Sequence, residues 1–342
     1  MRLHHLHRLT GSIVALLTAA MLAIGGAVPA LAASQQPSNA STSVMLAARE
    51  VSKIVLPETS IDGPALSSVR GTANSPSESV IAWTGTDAGH HLNVETSTDG
   101  LHFGHKLTLN ETSPYRPDVV LLGVGGPVAI AWTGTDANHS LNVLYDVYGH
   151  PQKLTLWHER SIAGPALLQY PGMFLAWTGT DANHSLNTLP LHVTASGIVT
   201  GEKAILSQFS SNAGPNLEQD GTSHLALMWA SRTLQLKAAF SPDGVHLFGT
   251  LIGATTEISA YAPDVYLQDV YYGGSHKWIG WTGTDAAHHL NLALTSDVSA
   301  TKTILGETAR GGPALDYNNG LQVAWTGTDS LHHVNIARFV YS

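Results

Sequence analysis

The sequence contains no cysteine, so disulfide bonds and thiolate metal ligands contribute neither to its stability nor to its chemistry. Charged residues make up only 12% of the chain, and acidic residues outnumber basic ones by 25 to 16. No basic stripe is present that would neutralise the phosphates of a nucleic acid. A glycine-rich phosphate loop, a serine nucleophile elbow and an HExxH helix are also missing. These absences argue against nucleic-acid binding and several common enzyme classes, and we expect no cofactor and no metal site.

The N-terminus has the pattern of a secretory signal peptide. A basic start precedes an apolar run over residues 13–28, and residues 30–32 give the small-x-small pattern of a signal-peptidase site. The run is too short for a comfortable membrane span. We therefore predict a signal peptide over residues 1–32, a flexible leader over 33–50 and a secreted or cell-surface protein of bacterial type, with no membrane span after cleavage. The alternative is that this segment is retained as an anchor.

One five-residue segment, Trp-Thr-Gly-Thr-Asp, organises the rest of the chain. It begins at Trp83, Trp132, Trp177, Trp281 and Trp325, and a degenerate copy surrounds Trp229. Successive tryptophans are 49, 45, 52, 52 and 44 residues apart. Periods of this length are typical of propellers and solenoids. The six tryptophans therefore define six repeats, and at a fixed strand position we expect them in the core between repeats.

Each repeat contains four short segments with the apolar and β-branched character of strands, the first of them after a proline. Four strands per repeat leave room only for turns. We therefore predict an all-β fold over residues 51–342, a six-bladed β-propeller of four-stranded antiparallel blades. The chain begins with an unpaired fourth strand over residues 51–56 and ends after a third strand over 334–340. The N-terminal strand is thus predicted to complete the last blade and close the ring.

Two repeated features are predicted to lie on one rim of this ring. The turn between the second and third strands carries an aspartate followed three residues later by a histidine, as Asp87/His90, Asp136/His139, Asp181/His184, Asp285/His288 and Asp329/His332. The link to the next blade carries a glutamate, at Glu58, Glu111, Glu159, Glu257 and Glu307. The fourth repeat has Phe209 in place of the glutamate and also lacks the Asp/His pair. This joint loss indicates that the two features interact or line a shared pocket.

Two interpretations of these rim residues remain open. The aspartates and histidines either brace the hairpins by bonding free backbone groups, or form five copies of a small polar site. In the second case the carboxylates accept hydrogen bonds from sugar hydroxyls, and the aspartates, histidines and glutamates are ligand-binding residues. The partner would be a glycan or another cell-surface polymer, held weakly at each site and more strongly through repetition.

Two turns between third and fourth strands resemble the Asp-box of the sialidase-like propellers. They are Ser-Thr-Asp-Gly-Leu-His-Phe at residues 97–103 and Ser-Pro-Asp-Gly-Val-His-Leu-Phe at 241–248, in which glycine follows the aspartate directly and phenylalanine replaces tryptophan. The resemblance covers the repeat architecture of residues 51–342. Sialidases hold a substrate carboxylate with three arginines and use a tyrosine nucleophile, so the resemblance implies a sialidase-type glycoside hydrolase as an alternative function. Its candidate residues are Arg116, Arg160, Arg232, Arg310, Tyr115 and Tyr261.

The repetition itself favours a non-catalytic function. A single reaction needs one asymmetric set of residues rather than five equal copies. The sequence therefore predicts a secreted propeller that binds carbohydrate or another surface ligand and has the capacity for multivalency. The sialidase-type enzyme is the alternative, and a purely structural scaffold is the third possibility.

Overall fold

The computed structural model describes residues 48–341 apart from 73–74, 171, 220–223, 245, 247, 251–254 and 268–276. The predicted signal peptide and most of the predicted leader lie outside the described residues. All elements below belong to one unit of the chain, residues 45–342. They form six antiparallel sheets, which are the six predicted blades.

The chain enters the ring with β1 (Ala48–Thr59) and then builds the first three blades in order. Blade one consists of β2 (Ala65–Val69), β3 (Glu78–Thr84), β4 (His91–Ser97) and β5 (Gly104–Thr112). Blade two consists of β6 (Asp118–Leu121), β7 (Val128–Thr133), β8 (Ser140–Tyr145) and β9 (Gln152–Arg160). Blade three consists of β10 (Ala166–Tyr170), β11 (Gly172–Thr178), β12 (Ser185–Thr194), β13 (Gly197–Thr200) and β14 (Ala204–Ser210). It has a fifth strand because β12 is long enough to pair with β14 in its first half and with β13 in its second.

The remaining three blades include one short helix. Blade four consists of β15 (Asn216–Gln219), β16 (Leu225–Ala230), β17 (Leu236–Ser241) and β18 (Phe248–Thr250). Blade five consists of β19 (Asp264–Tyr266), β20 (Trp278–Thr282), β21 (His289–Leu294), the helix α1 (Val298–Thr301) and β22 (Thr303–Thr308). Blade six consists of β23 (Ala314–Tyr317), β24 (Leu321–Thr326) and β25 (His333–Tyr341). In the described part of the chain, no helix has the length and apolar character that crossing a membrane requires.

The ring closes through the N-terminal strand, as the sequence predicts. β1 pairs antiparallel with β25, with Ile54 opposite Ile336, and the last sheet has the order β1-β25-β24-β23. The inner strands also contact one another in sequence, from β2 through β6, β10, β15 and β19 to β23, which contacts β2 again. The closing strand begins at Ala48 rather than at Val51. The predicted six-bladed propeller is therefore confirmed.

The core lies between the blades. Six clusters of buried apolar side chains each combine residues of two neighbouring blades. A middle strand such as β7 is buried along its whole length because both faces of its sheet are covered. The six repeated tryptophans are at most 4% exposed, and Trp83, for example, packs between the sixth and first blades. They are interblade core residues, as predicted.

Removal of β1 should open the ring. A chain without residues 1–59 would leave the β25 edge unpaired and would uncover the apolar face that Leu56 helps to bury. Unpaired edges associate with other chains. We expect a lower melting temperature and aggregates in size-exclusion chromatography, whereas a chain without residues 1–47 should behave like the full-length protein. Equal melting temperatures for the two truncated chains would show that β1 does not hold the ring closed.

Candidate functional site

The Trp-Thr-Gly-Thr-Asp segment ends the second strand of each blade and begins the turn to the third. Its first threonine donates a hydrogen bond to a backbone carbonyl of the link that leads to the next blade. Thr84 Oγ1 bonds Tyr115 O at 2.6 Å, and Thr326 Oγ1 bonds Asp62 O at 2.6 Å. Thr133, Thr178 and Thr282 make the equivalent bond. Because the neighbouring tryptophan packs against the preceding blade, these two residues join three consecutive blades.

The glycine and the aspartate shape the turn itself. Asp87 Oδ1 accepts a hydrogen bond from the N–H of Gly89 at 3.0 Å, and Asp87 Oδ2 accepts one from the N–H of His91 at 3.2 Å. A Cβ on Gly85 would lie 2.7 Å from Asp87 Oδ2 and 3.0 Å from Asn93 Nδ2, so a larger residue does not fit there. The aspartate thus satisfies free donors of the turn, which is the behaviour that the bracing interpretation expects.

The histidine three residues after each aspartate adopts the left-handed conformation. Its φ is 54° at His90 and lies between 50° and 60° at His139, His184, His288 and His332. Histidine enters this region more readily than most residues with a side chain. The imidazoles contact the links between blades. The ring centres of His139 and Tyr115 are 6.2 Å apart, and those of His288 and Tyr261 are also 6.2 Å apart. A backbone hydrogen bond joins the two residues of each pair, as from the N–H of His90 to Asp87 O at 3.0 Å, but their side chains contact different neighbours.

The side chain that the aspartate does bind lies four residues after it. His91 Nδ1 is 2.6 Å from Asp87 Oδ1. His289 and His333 make this contact in blades five and six at 2.8 and 2.9 Å, and Ser140 and Ser185 donate to the aspartate in blades two and three at 3.1 Å. Desolvation raises the pKa of these aspartates, but the hydrogen bonds outweigh it and hold the pKa below its ordinary value. The carboxylates are therefore ionised acceptors.

A lysine joins the repeated glutamate to the repeated tryptophan. Lys153 Nζ lies 2.7 Å from both carboxylate oxygens of Glu111, which belongs to the preceding blade, and 5.3 Å from the centre of the Trp132 ring. The same contact recurs as Lys106/Glu58/Trp83, Lys203/Glu159/Trp177, Lys302/Glu257/Trp281 and Lys53/Glu307/Trp325. Ion pairs and cation–π contacts at partly exposed positions are each worth up to about 1 kcal/mol. The repeated contact thus braces neighbouring blades.

These residues surround a cavity of about 600 Å³ between the sixth and first blades. Its wall includes Glu58, Asp87, His91, Trp83 and Lys106. The repeated glutamate and aspartate, which the sequence places in a shared pocket or in mutual contact, both line this cavity. Its volume is within the range of roughly 300–1,000 Å³ that is usual for ligand pockets. We name this position the interblade pocket, and its side-chain set recurs in blades one, two, three, five and six.

In the fourth blade an aromatic side chain replaces the polar set. Phe209 occupies the position of the repeated glutamate, and its ring centre lies 4.7 Å from that of Trp229. A phenyl ring thus covers the tryptophan that lysine covers elsewhere. Arg232, which lies in the shortened turn, and Lys237, which stands opposite Trp229 in place of the third-strand asparagine, are both exposed. The joint loss of the repeated features in this repeat therefore has a structural counterpart.

A smaller pocket of about 150 Å³ lies where the links between blades meet around the axis, and Tyr115, Arg116 and Tyr261 line it. These are three of the candidates of the sialidase alternative. Arg116 is only 8% exposed and donates from Nη1 to Pro313 O at 3.1 Å. Its guanidinium is therefore engaged with the protein itself.

The other arginines of the sialidase alternative are not in the lining of this axial pocket, as far as the described residues show. Arg310 donates to Ile61 O at 3.1 Å and lies 2.9 Å from His332 Nε2. Arg160 and Arg232 are exposed. The structure thus brings the two candidate tyrosines to one pocket with a single candidate arginine.

Two buried aspartates lie on the inner strands within the electrostatic reach of Arg116. Asp118 accepts from the N–H of Leu167 at 2.6 Å, and Asp264 accepts from the N–H of Leu315 at 3.0 Å, so each carboxylate holds the following blade. Burial raises the pKa of Asp118 to about 6 and that of Asp264 to about 7, and the charge of Arg116 offsets part of this rise. Arg116 therefore compensates buried charge at the axis of the ring.

The two turns that resemble Asp-boxes lie on the rim opposite the interblade pockets. Ser97 Oγ accepts from the N–H of Gly100 at 2.9 Å, and Asp99 Oδ1 accepts from the N–H of His102 at 2.8 Å. Ser241 and Gly244 repeat the first bond at 2.7 Å. The glycines have φ of 73° and 76°, which explains why glycine follows the aspartate directly. These turns have a structural role.

Sequence reasoning missed two groups of pocket residues. The lysines were visible at the start of most fourth strands, but their contact with a glutamate of the preceding blade follows only from the stacking of the blades. The histidines four residues after the aspartates occur in only three repeats, so the repeat pattern indicated the more regular histidines at the third position instead. No group of three or more histidine, aspartate and glutamate side chains in the described ranges is arranged to hold a metal ion.

No protein-family model and no curated protein matches the sequence. Solved structures match its fold. The SapL1 lectin in complex with α-methyl fucoside matches with a TM-score of 0.58 and 9% identity over 83% of this chain and 96% of that one. The fucose-specific lectin from Aleuria aurantia matches with a TM-score of 0.54 and 9% identity over 83% and 96% of the two chains.

A Trypanosoma rangeli sialidase in complex with sialic acid matches with a TM-score of 0.51 and 9% identity over 85% of this chain. The match spans 58% of the sialidase's own length. The chain is thus a six-bladed β-propeller similar in fold to sialidases and to fucose lectins. The predicted resemblance to sialidase-like propellers is confirmed at the level of the fold.

The buried axial aspartates should make stability depend on pH. Folding raises the pKa of Asp264 from 3.8 to about 7. The protonated carboxyl therefore contributes fully to the stability of the folded state below about pH 4, and this contribution is lost as the pH rises through about 7. The variant Asp264→Asn has no titrating carboxyl at this position, so it lacks this pH-dependent loss of stability. The melting temperature of the variant minus that of the wild type should therefore increase by several degrees from about pH 4 to about pH 8.

A reverse substitution provides the control. Asn216 follows the strand-one proline in blade four as Asp264 does in blade five, and it is also buried. Asn216→Asp should steepen the loss of stability with rising pH. If the melting temperature of each variant differs from that of the wild type by the same amount at every pH, the buried aspartates do not cause the pH dependence.

Proposed function

We propose that the protein is a non-catalytic, multivalent carbohydrate-binding propeller whose binding sites are the five interblade pockets. The observation that carries the proposal is the recurrence, in five of six blades, of one polar set around the tryptophan: a glutamate from the preceding blade, a lysine, an aspartate and a histidine or serine. Bracing of the hairpin requires the aspartate alone. The lysine and the glutamate also join neighbouring blades, and their recurrence beside the aspartate supports a second role in binding a ligand.

The chemistry of the first interblade pocket suits sugar hydroxyls, which both donate and accept. The carboxylates of Glu58 and Asp87 accept hydrogen bonds, the ammonium group of Lys106 donates them, and His91 and the hydroxyl of Thr86 add further polar groups. Hydrogen bonds to charged groups are the stronger kind. The fold similarity to two lectins, one of them in complex with α-methyl fucoside, supports a sugar as the ligand.

Repetition compensates for weak binding at each pocket. Five equivalent sites on one rigid ring can engage a polymer that displays many copies of the same sugar, and linked sites raise the apparent affinity without new contacts. A glycan or another polymer of a cell surface is therefore the proposed partner. The signal-peptide pattern at the N-terminus supports a secreted or surface location.

A sialidase-type glycoside hydrolase is the second candidate. The observations that favour it are the axial pocket with Tyr115, Arg116 and Tyr261 and the fold similarity to a sialidase. The engaged guanidinium of Arg116 and the absence of Arg160, Arg232 and Arg310 from the described lining favour the lectin proposal instead. A scaffold without a ligand is the third candidate.

Substitution of the repeated glutamate tests the proposal. A glycan array identifies the sugars that bind, and biolayer interferometry on a surface displaying the best one compares variants. Glu111→Gln should lower the apparent affinity only severalfold, because four pockets remain. Glutamine in place of Glu58, Glu111, Glu159, Glu257 and Glu307 together should lower it by more than about a hundredfold, since every pocket loses a charged acceptor.

Two controls separate binding from folding. Glu202→Gln removes an exposed acid outside the sets of pocket residues and should leave binding unchanged. The melting temperature of the variant with all five glutamates replaced should lie close to that of the wild type, because each exposed ion pair contributes little to stability. If the variant with all five substitutions folds and binds as tightly as the wild type, the proposal is wrong.

A fluorogenic sialoside distinguishes the enzyme from the lectin. We expect no hydrolysis above the rate of a heat-denatured sample, because three arginines do not line the axial pocket among the described residues. Hydrolysis that is lost in Tyr115→Phe or Tyr261→Phe, while the fold is retained, would establish the enzyme in place of the lectin.

A further inference from the structure

A row of three side chains crosses each pocket-forming blade from the second strand to the fourth. In blade one, Trp83 lies opposite Asn93 and Asn93 opposite Thr108, and all three line the interblade pocket. The same pairing gives the rows Trp132–Asn142–Thr155, Trp177–Asn187–Ile205, Trp281–Asn291–Ile304 and Trp325–Asn335–Val55. The tryptophan and the asparagine are constant. The fourth-strand residue is threonine in two rows and a branched aliphatic residue in three.

In blades one and two the threonine satisfies the asparagine. Thr108 Oγ1 donates to Asn93 Oδ1 at 2.7 Å, and Thr155 Oγ1 donates to Asn142 Oδ1 at 2.8 Å. The Nδ2 group of each asparagine donates to the carbonyl of the first residue of the third strand at 2.9 Å. Both ends of the carboxamide are therefore occupied within the protein.

In blades three, five and six the carboxamide oxygen receives no hydrogen bond from the described residues. The Nδ2 groups of Asn187, Asn291 and Asn335 donate to the carbonyl of the first residue of the third strand at 2.8, 2.9 and 2.8 Å. The aliphatic side chain opposite each of them has nothing to donate. These asparagines are only 3–5% exposed. Their carboxamide oxygens are not among the enclosed side-chain atoms that lack a partner in the described residues, so they stay accessible and can accept a hydrogen bond from a ligand.

The aliphatic side chains beside these oxygens face solvent. Val55, Ile205 and Ile304 are 54%, 63% and 62% exposed. Each lies two residues after the lysine of its pocket, and residues two apart on a strand share a face. These three pockets thus present an exposed apolar side chain next to an acceptor that lacks a donor.

We infer that the pockets of blades three, five and six recognise a methyl group that lies beside a hydrogen-bond donor on a sugar, whereas the pockets of blades one and two do not select for the methyl group. The inference rests on the proposed function and narrows its ligand class. The donor would bond the asparagine oxygen, and the methyl group would cover the valine or isoleucine. Two sugar groups have this chemistry: the acetamido group of a 2-acetamido sugar, and the methyl group of a 6-deoxy sugar beside its 4-hydroxyl.

Methyl-labelled protein separates the two classes of pocket. Protein with ¹³C-labelled isoleucine and valine methyl groups is titrated with two matched pairs of glycosides. The first pair is methyl 2-acetamido-2-deoxy-β-D-glucoside and methyl β-D-glucoside, and the second is methyl α-L-fucoside and methyl α-L-galactoside. The signals of Val55, Ile205 and Ile304 should shift at about fivefold lower concentration with the methyl-bearing member of one pair than with its partner. The pair that shows this preference identifies the sugar group.

Substitutions in both directions test the role of the fourth-strand residue. The triple variant Val55→Thr, Ile205→Thr and Ile304→Thr supplies the missing donor and removes apolar surface, so the fivefold preference should disappear. The double variant Thr108→Val and Thr155→Val is nearly isosteric and frees the oxygens of Asn93 and Asn142. It should extend the preference to the pockets of blades one and two, and it serves as the test if the triple variant does not fold.

Failure of this inference is distinguishable from failure of the proposed function. Equal affinities within both pairs at Ile205 and Ile304, with binding still present, would overturn the assignment of the methyl-selective pockets and leave the lectin proposal standing. If no glycoside or arrayed glycan shifts any pocket signal, both are overturned.

Discussion

Five of the six blades are held to both neighbours by the Trp-Thr-Gly-Thr-Asp segment. The tryptophan fills the core toward the preceding blade, and the threonine hydroxyl bonds the link that leads to the following one. A ring without disulfide bonds depends on such contacts, because closure removes sheet edges only if every pair of blades stays together. The buried aspartates at the axis provide a second connection of this kind.

The contacts that hold the ring also create the proposed binding surface. In five blades a lysine covers the tryptophan and forms an ion pair with the preceding blade, and in the first blade this ion pair, Lys106 with Glu58, forms one wall of the pocket. The fourth blade shows that the two roles are separable. There Phe209 packs on Trp229 and the blades remain joined, but the polar set is gone. Joining two blades therefore does not by itself require the charged residues.

The fold follows from the sequence because the spacing of the tryptophans, the unpaired strand before the first repeat and the absence of a fourth strand from the last repeat leave one simple closure. The pocket is less predictable. The sequence places Asp87 and His90 in one pair, but the left-handed backbone at His90 accompanies an arrangement in which Asp87 bonds His91. Histidine adopts the left-handed conformation more readily than most residues, but the residue types do not tell which of the two adjacent histidines adopts it. Likewise, Lys106 and Glu58 are 48 residues apart and meet only because two blades stack.

The number of sugar molecules bound per chain separates a propeller with five interblade sites from one with a single axial site. Equilibrium dialysis or native mass spectrometry at saturation, with the best monovalent sugar from an array, measures this number. We expect five molecules per chain, one at each interblade pocket and none at the pocket position of the fourth blade. Binding of a single molecule per chain, lost on substitution of residues that line the axial pocket, would contradict this expectation.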